Sequence, residues 1–278
     1  DDERYDESYW VQQMVAKTQT QLEKVLLRSD EVNERHQRLS KIQDEPYGGV
    51  PTIAYAKVFE TMAKQGVKVI LDGQGMDEAW AGYDYYQNNS NNTIQGQSNT
   101  SPFKIDVMSD SFTAKAQKPE YPTPFKDELF DKQYRDLFYT KIPRALRFND
   151  RVSMASTTEL REPFLDYHLV EYAFSLPKEM KIKNQQGKFL LREILSDYSK
   201  NVAFAPKRPL QTPQREWLAE KLKLMVDDAI ASIERSSLAN HFDIQQMKVE
   251  WQDYKNGNQI SSFHIWQWIS VAELLANE

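Results

Sequence analysis

The sequence contains no cysteine, which excludes disulfides, thiolate metal sites and a cysteine nucleophile within its 278 residues. Its four histidines are scattered and lack the spacing of a metal site. It also lacks a GxSxG elbow and a Walker-type phosphate loop. The signatures of thiol enzymes, α/β-hydrolases and P-loop kinases are therefore all missing.

Long apolar runs are missing too. None approaches the roughly 18 residues of a membrane span, and no basic-then-apolar leader is visible. The formal net charge of −6 argues against a broad nucleic-acid surface. A hydrophobic content of 40% is ordinary for a globular chain. We expect a cytoplasmic protein without membrane or nucleic-acid partners, and, because it opens at Asp1, a fragment of a longer chain.

The most informative stretch is residues 67–78, VKVILDGQGMDE. It opens with the composition of a strand buried on both faces. Gly73 and Gly75 then allow tight turns, and Asp77 and Glu78 follow. Open α/β sheets bind ligands at the carboxyl ends of their strands, where free N–H groups suit anionic oxygens and carboxylates suit the Mg²⁺ that accompanies phosphates. The alternative is a strand-to-helix turn whose glycines serve only geometry.

Apolar periodicity predicts the remaining elements. We expect helices at about 9–18, 29–42, 51–65 and 127–139, a helix beginning at Ala79, a short strand at 21–27 and a docked final helix at 260–275. These elements predict an α/β fold with a parallel sheet in the N-terminal third, residues 1–86. A polar surface insertion at 87–124, which is a candidate lid, and a predominantly helical part at 125–278 are expected to follow.

A stripe of basic residues, Arg144, Arg147 and Arg151, shares one face of a predicted helix, with Asp150 between them. A solvated charged face explains this pattern without a ligand. The segment ELREPFLD at 159–166 ends one helix and can cap the next, so structural capping and ion pairing would explain it without chemistry.

Gly187 and Lys188 follow a polar turn at 183–187 and precede a predicted helix. An ammonium group at the positive end of a helix is unfavourable unless an anion lies nearby. The pattern is therefore a hint of phosphate binding, and an exposed lysine without a role is the alternative.

Taken together, these segments resemble the synthetase domain of glutamine-dependent asparagine synthetases, in the PP-loop ATP pyrophosphatase superfamily. LDGQGMDEAWAGY at 71–83 is similar to the family's S/D-G-E/Q-G-A-D-E-x-x-x-G-Y. DRVSMA at 150–155 with ELREPFLD at 159–166 resembles D-R-x-S-M-A…E-x-R-x-P-F-L-D, and GKFLLRE at 187–193 resembles G-K-x-x-L-R-E. Their order and spacing agree across roughly residues 44 to 220.

The resemblance implies an incomplete adenine-nucleotide α-hydrolase-like sheet and the ATP- and Mg²⁺-dependent amidation of an aspartate-like acid through an acyl-adenylate. It implies catalytic roles for Lys188, Asp77 and Gln74, with Asp77 near the metal. It also implies nucleotide contacts from Asp72, Gly73, Gln74, Gly75, Glu78, Asp150 and Arg151. A glutaminase domain that supplies ammonia is expected upstream on the full chain.

Three departures separate this chain from the family pattern. The pyrophosphate-binding S-G-G-x-D-S motif and the glutaminase domain are expected upstream of Asp1, so we expect weak or no catalysis from this chain alone. Gln74 and Asp72 stand where asparagine synthetases commonly have Glu and Ser. A later segment, K-x-G-F-x-x-P-x-x-x-W-L, is echoed weakly from Lys207, with Pro209 and Leu210 in place of glycine and phenylalanine.

These departures leave two alternatives open. One is an amidotransferase of this fold that acts on another acid, such as a surface-polysaccharide sugar acid, or that closes a ring as β-lactam synthetases do. The other is a homologue that binds a nucleotide or a partner without turnover.

Overall fold

The computed structural model describes residues 5–87, 104–117, 119–206, 212–258 and 261–277. Along the first half of these residues run α1 (Ser8–Thr18), α2 (Val32–Gln43), α3 (Val50–Lys64), β1 (Val69–Leu71), α4 (Met76–Ala79), α5 (Asp110–Thr113) and α6 (Glu128–Arg135). The second half contains α7 (Lys141–Ala155), β2 (Glu159–Arg161), α8 (Tyr167–Ser175), α9 (Lys178–Lys181), β3 (Ile182–Lys183), β4 (Gln186–Gly187), α10 (Phe189–Ala203), α11 (Gln214–Ala219), α12 (Lys223–Arg235), α13 (Ile244–Lys255) and α14 (Phe263–Ala276).

Short turns of tighter or wider helix join several of these elements. They are 3₁₀ turns at Ser29–Glu31, Asp84–Tyr86, Ile105–Val107, Pro163–Leu165 and Ala239–His241, and a π turn at Asp136–Thr140. Among the residues described, none of the helices is both long and apolar enough to cross a membrane.

The main apolar core is built around α14, which packs along α12 and against α2. Trp266 is only 1% exposed, and Val226 and Ile233 of α12 are fully buried beside the same cluster. Burial of large apolar side chains is the main source of stability in such a cluster. The predicted final helix is confirmed, and its tryptophans belong to the core.

The sheet is a parallel pair formed by β1 and β2, with Ile70 opposite Leu160. The prediction of a parallel sheet is therefore confirmed, but its placement in the N-terminal third is wrong, because β2 comes from residues 159–161. That segment had been read as the end of a helix. Instead α7 stops at Ala155, and Thr157 adopts a left-handed φ of 56°, which turns the chain into the strand. The finer expectation of an adenine-nucleotide α-hydrolase-like sheet stays a prediction.

The burial of β1 differs from the expectation as well. Val69 is 39% exposed and Leu71 68% exposed, so this strand is not buried on both faces. Its β-branched composition reflects pairing with β2 on one edge. Within the ranges that the structure covers, no strand pairs with its other edge.

The strand predicted at 21–27 does not form. Leu26 is 73% exposed, and only Leu27 of this segment packs against the main core. A strand needs a neighbour that satisfies its backbone groups, and none of the described strands pairs here. The apolar residues alone were an insufficient signal.

Helix boundaries were predicted to within a few residues. The α3 helix ends at Lys64, within one residue of the predicted boundary, and Gly66 follows with a left-handed φ of 79°. The helix expected from Ala79 is wrong in position: α4 spans only Met76–Ala79, because Ala81 adopts a φ of 56° and ends it. The helix expected at 127–139 divides into α6 and the π turn.

Part of the predicted insertion at 87–124 lies outside the described residues, namely 88–103 and 118. The segment after this gap reaches the core, because Val107 is buried and its carbonyl oxygen accepts the backbone N–H of Asp243 at 2.8 Å. The division of the chain at 86 and 124 stays a prediction.

Candidate active site

The loop that leaves β1 carries the first group of predicted site residues. Asp72 continues the strand pairing, since its backbone N–H donates to the carbonyl oxygen of Arg161 at 2.9 Å. Its Oδ1 atom accepts the backbone N–H of Gly73 at 2.6 Å. Among the described residues beyond its chain neighbours, no heavy atom lies within 4 Å of the position that a Cβ at Gly73 would take. This side of the loop therefore leaves its backbone open to a ligand.

Gly75 is the position of the loop that needs glycine. Its φ of 89° lies in the left-handed region, and a Cβ there would collide with the side chain of Leu165. Leu165 belongs to the 3₁₀ turn that follows β2. The loop after β1 and the turn after β2 are thus packed together at the carboxyl edge of the parallel pair.

Asp77 and Lys188, which are far apart in sequence, form an ion pair beside this loop. Lys188 Nζ lies 2.7 Å from Asp77 Oδ1, and both side chains are partly buried. The fold therefore brings together the predicted carboxylate and the predicted phosphate-binding lysine.

Lys188 is delivered to the site by a tight hairpin. β3 pairs with β4 in antiparallel register, and the two turn residues, Asn184 and Gln185, have φ values of 52° and 59°. Two successive left-handed residues are typical of a hairpin turn whose twist matches its strands. Lys188 follows with a φ of 57° and donates its backbone N–H to the carbonyl oxygen of Trp80 at 3.0 Å. The predicted polar turn is confirmed. The hairpin and the hydrogen bond to Trp80 together fix the position of the Lys188 backbone.

Glu78 points away from the loop, into the protein. It is buried, and its Oε1 atom accepts the phenolic hydroxyl of Tyr83 at 2.7 Å. Burial is the main cause of the raised pKa of Glu78, and the hydrogen bond from Tyr83 opposes it. The carbonyl oxygen of Glu78 accepts the Gln133 side-chain amide at 2.6 Å. Glu78 therefore anchors α4 to the protein interior, on the side away from the glycine loop.

Lys141 completes that supporting layer. Its ammonium lies 4.0 Å from the centroid of the Tyr83 ring, within the range of a cation–π contact. Burial lowers the pKa of Lys141, while the charges of Asp136 and Glu78 oppose that shift. Sequence reasoning missed Lys141, because nothing in its neighbourhood along the chain points to Tyr83.

Asp72 faces a second carboxylate, that of Glu162, which directly follows β2. Burial raises the pKa of Glu162 to about 7, and the charge of Asp72 adds to this rise. The same two carboxylates contribute, after burial, to raising the pKa of Tyr55 to about 12. Glu162 was also missed. The signal existed, since an acid that follows a parallel strand lies at the ligand-binding edge, but 159–161 had not been recognised as a strand.

The basic residues predicted to share a helix face all lie on α7, and two of them, Arg147 and Arg151, approach the same carboxylate. Arg147 Nε lies 2.5 Å from Glu45 Oε1, and Arg151 NH1 lies 3.6 Å from the same oxygen. Arg151, predicted to contact the nucleotide, is thus held toward Glu45. Asp150 borders an open cleft of about 450 Å³ together with Glu162.

The structure therefore brings Asp72, Gly73, Gln74, Gly75, Asp77 and Lys188 to one edge of the sheet, with Asp150 at the neighbouring cleft. It places Glu78 behind the loop and Arg151 against Glu45. The catalytic, nucleotide and metal roles of all these residues stay predictions. Lys207, Pro209 and Leu210 lie outside the described residues.

Comparison with known proteins fits this geometry. The asparagine synthase family matches residues 1–276. Asparagine synthetase [glutamine-hydrolyzing] 3 of Bacillus subtilis is 26% identical over 206 residues, which are 68% of this chain and 33% of that protein. Asparagine synthetase [glutamine-hydrolyzing] of Homo sapiens is 31% identical over 173 residues, 58% of this chain and 25% of that protein.

The chain belongs to the asparagine synthase family, of which it is a divergent synthetase domain. It spans about a third or less of the length of these two relatives.

Proposed function

We propose that this chain is the synthetase part of an ATP-dependent amide-forming ligase. It activates the side-chain carboxylate of an aspartate-like acid as an acyl-adenylate, with release of pyrophosphate, and ammonia then displaces AMP to give the amide. Activation is needed because a carboxylate oxygen is a poor leaving group and AMP is a far better one. Membership of the asparagine synthase family supports this reaction class.

The observation that carries the proposal is the Asp77–Lys188 pair at the carboxyl edge of β1 and β2. Lys188 supplies positive charge where phosphate oxygens become more negative as the α-phosphate is attacked. Such charge is effective because the fold holds it in place before the reaction begins. The open backbone at Gly73 lets the nucleotide or the acyl group approach closely.

Mg²⁺ fits this site only as a companion of the nucleotide. Among the described residues, no group of three or more His, Asp or Glu side chains is arranged to hold a metal ion. Mg²⁺ bound to nucleotide phosphates needs one or two protein carboxylates, and Asp77 is the one beside the loop. When bound, the ion would neutralise phosphate charge.

Ammonia is proposed to come from glutamine, as the names of the relatives indicate for those proteins. The present chain has no cysteine, so glutamine hydrolysis by a cysteine nucleophile would fall to residues outside it. Supplying ammonium salts directly removes that dependence from any test.

The test is pyrophosphate release from ATP and Mg²⁺ with ammonium, with and without aspartate. It should be run on this chain and on the longer protein that includes the upstream segment. Aspartate-dependent release by the longer protein, with asparagine as the product, is the expected result. If pyrophosphate release depends on a different acid, that acid and not aspartate is the acceptor. Tight nucleotide binding without acid-dependent release would overturn the proposal in favour of a non-catalytic homologue.

A further inference from the structure

The amide-forming step of the proposed function needs a proton acceptor. When ammonia attacks the acyl carbon, the new C–N bond leaves a positively charged nitrogen that must lose a proton before AMP departs. The glycine loop offers Gln74 at its centre, and a carboxamide cannot accept that proton. If a side chain takes this proton, it is therefore another residue at this edge of the sheet.

Three of the carboxylates near the loop are already engaged. Asp77 is paired with Lys188 at 2.7 Å. Glu78 is buried behind the loop and bonded to Tyr83. Asp72 uses Oδ1 to accept the backbone N–H of Gly73, and only its Oδ2 atom is buried without a partner among the described residues. These contacts occupy an oxygen of Asp77 and of Asp72, and they hold Glu78 away from the open side of the loop.

Glu162 is in a different situation. It leaves the end of β2 beside the loop, and both of its carboxylate oxygens are shielded from water without a hydrogen bond of standard geometry from any described residue. A backbone contact from Gln74 acts to lower the pKa of Glu162, against the larger effects of burial and Asp72 that raise it. It borders the open cleft of about 450 Å³, whose other lining residues are Pro143, Leu146, Arg147, Asp150 and Leu160.

The charged and titratable neighbours of Glu162 come from three elements. Asp72 at the end of β1 and Tyr55 of α3 face it, and Arg147 and Asp150 of α7 line the same cleft. Burial first, and then the Asp72 charge, raise the pKa of Glu162 to about 7. A base is most effective when its pKa lies near the working pH.

We propose that Glu162 is the general base of the amide-forming step, taking a proton from the nitrogen of ammonia as it bonds to the acyl carbon. The C–N bond forms with the nitrogen lone pair as the C=O π pair moves onto the carbonyl oxygen, and that pair re-forms the C=O bond when AMP leaves. The proton passes from nitrogen to a Glu162 oxygen, and the C–O bond to AMP then breaks, with its electron pair leaving on the phosphate oxygen. Adenylation, which comes earlier, does not use Glu162. The inference rests on the proposed function.

The two half-reactions allow a direct test with Glu162→Gln in the full-length protein, with aspartate as the acid. Aspartate-dependent exchange of labelled pyrophosphate into ATP, without ammonia, reports adenylation and correct folding. Asparagine formation at a fixed concentration of free ammonia reports the whole reaction. We expect exchange within about twofold of the unaltered protein and asparagine formation lower by about 100-fold.

Two further variants sharpen the result. Glu162→Asp keeps a carboxylate and should recover at least about tenfold of the activity lost in Glu162→Gln, within the usual size of a base effect. Glu171→Gln removes an exposed carboxylate from α8 and should leave both reactions unchanged. In the unaltered protein, amide formation should rise with pH through about 7, the pKa of Glu162, and this limb should be absent in Glu162→Gln.

Failures of the two proposals look different. If Glu162→Gln forms asparagine as fast as the unaltered protein, or loses exchange and amide formation to the same extent, Glu162 is not the base and the proposed function stands. If the unaltered protein shows no aspartate-dependent exchange, the proposed function fails for aspartate, and the inference fails with it.

Discussion

The helical core around α12 and α14 and the edge formed by β1 and β2 are held together in different ways. In the core, large apolar side chains such as Trp266 and Ile233 are almost fully buried in one continuous cluster. At the edge, β1 is half exposed, and the order comes from backbone pairing, a glycine contact and the Asp77–Lys188 pair. The core therefore supplies most of the stability, while the edge of the sheet carries the charged side chains of the candidate site.

This difference predicts that substitutions separate into two classes. Changes in the core should alter the free energy of unfolding, and changes at the edge should alter the reaction more than the fold.

The largest effect is expected from Trp266→Ala. Trp266 is 1% exposed and makes edge contacts with the rings of His36 and Tyr47. Its removal leaves a cavity that helices cannot close, so the free energy of unfolding should fall by about 4 kcal/mol. Urea denaturation measures this loss. Leu224→Ala, at a 68% exposed position of α12, is the matched control and should change it by less than about 0.5 kcal/mol.

His36 makes the same core sensitive to acid. It is buried beside the Tyr47 hydroxyl, 2.6 Å from its Nδ1 atom, and burial lowers its pKa to about 4. In the unfolded chain the imidazole titrates near 6.5, so the unfolded state binds a proton that the folded state refuses. Stability is therefore fully present above about pH 6.5 and falls by about 3 kcal/mol as the pH drops to about 4.

Denaturation curves from pH 7 to pH 4 check this contribution. The fall should shrink by that amount in His36→Gln, and it should persist in His168→Gln, since the His168 side chain is 71% exposed. An unchanged fall in His36→Gln would show that the core takes up this proton without cost.

At the edge, Asp77→Asn should act on the reaction. The variant leaves the Lys188 ammonium without its carboxylate partner and removes the group proposed to sit near Mg²⁺. We expect pyrophosphate release to fall by about 100-fold, equivalent to about 2.7 kcal/mol in the barrier, with a much smaller change in the unfolding midpoint. Asp197→Asn, at an exposed site of α10, is the control. A large loss of stability with normal kinetics would show that Asp77 stabilises the fold and takes no part in the reaction.

The smallest effect is expected from Glu162→Gln on stability. Because burial and Asp72 raise the pKa of Glu162 to about 7, ionising it costs the folded state more than the unfolded state. Below the ordinary glutamate pKa the two proteins should be equally stable. As the pH rises through about 7 the variant should become more stable, by about 1 kcal/mol once solvent screening is allowed for. Denaturation at pH 4.5 and pH 8 compares the two, and a variant less stable at pH 8 would contradict the unfavourable pairing with Asp72.

The difference between the helical core and the sheet edge also explains which elements could be predicted from the sequence. Helix α14 was predicted because its apolar pattern and its environment agree, and Gly75 indicated a turn conformation that the backbone does adopt. β2 was missed because three residues carry too little periodicity, and only the pairing with β1 makes Glu159–Arg161 a strand.

Within the candidate site, local motifs predicted which residues lie near one another, but not where each side chain points. Asp77 and Lys188 meet as expected. Glu78 follows Asp77 on a helical turn, where successive side chains point in different directions. Its side chain therefore points away from Lys188 and toward Tyr83. The pKa of Glu162 is raised only through burial and the nearby Asp72 charge, and both are properties of the assembled fold.

The exposed edge of β1 has a practical consequence for anyone who handles this chain. Val69 and Leu71 present apolar side chains on a strand whose second edge meets no other described strand. Unpaired backbone N–H and C=O groups next to such side chains are templates for pairing with another chain. Concentrated preparations of this chain should therefore self-associate through β1, and a charged residue at the position of Leu71 is the simplest way to keep them dispersed.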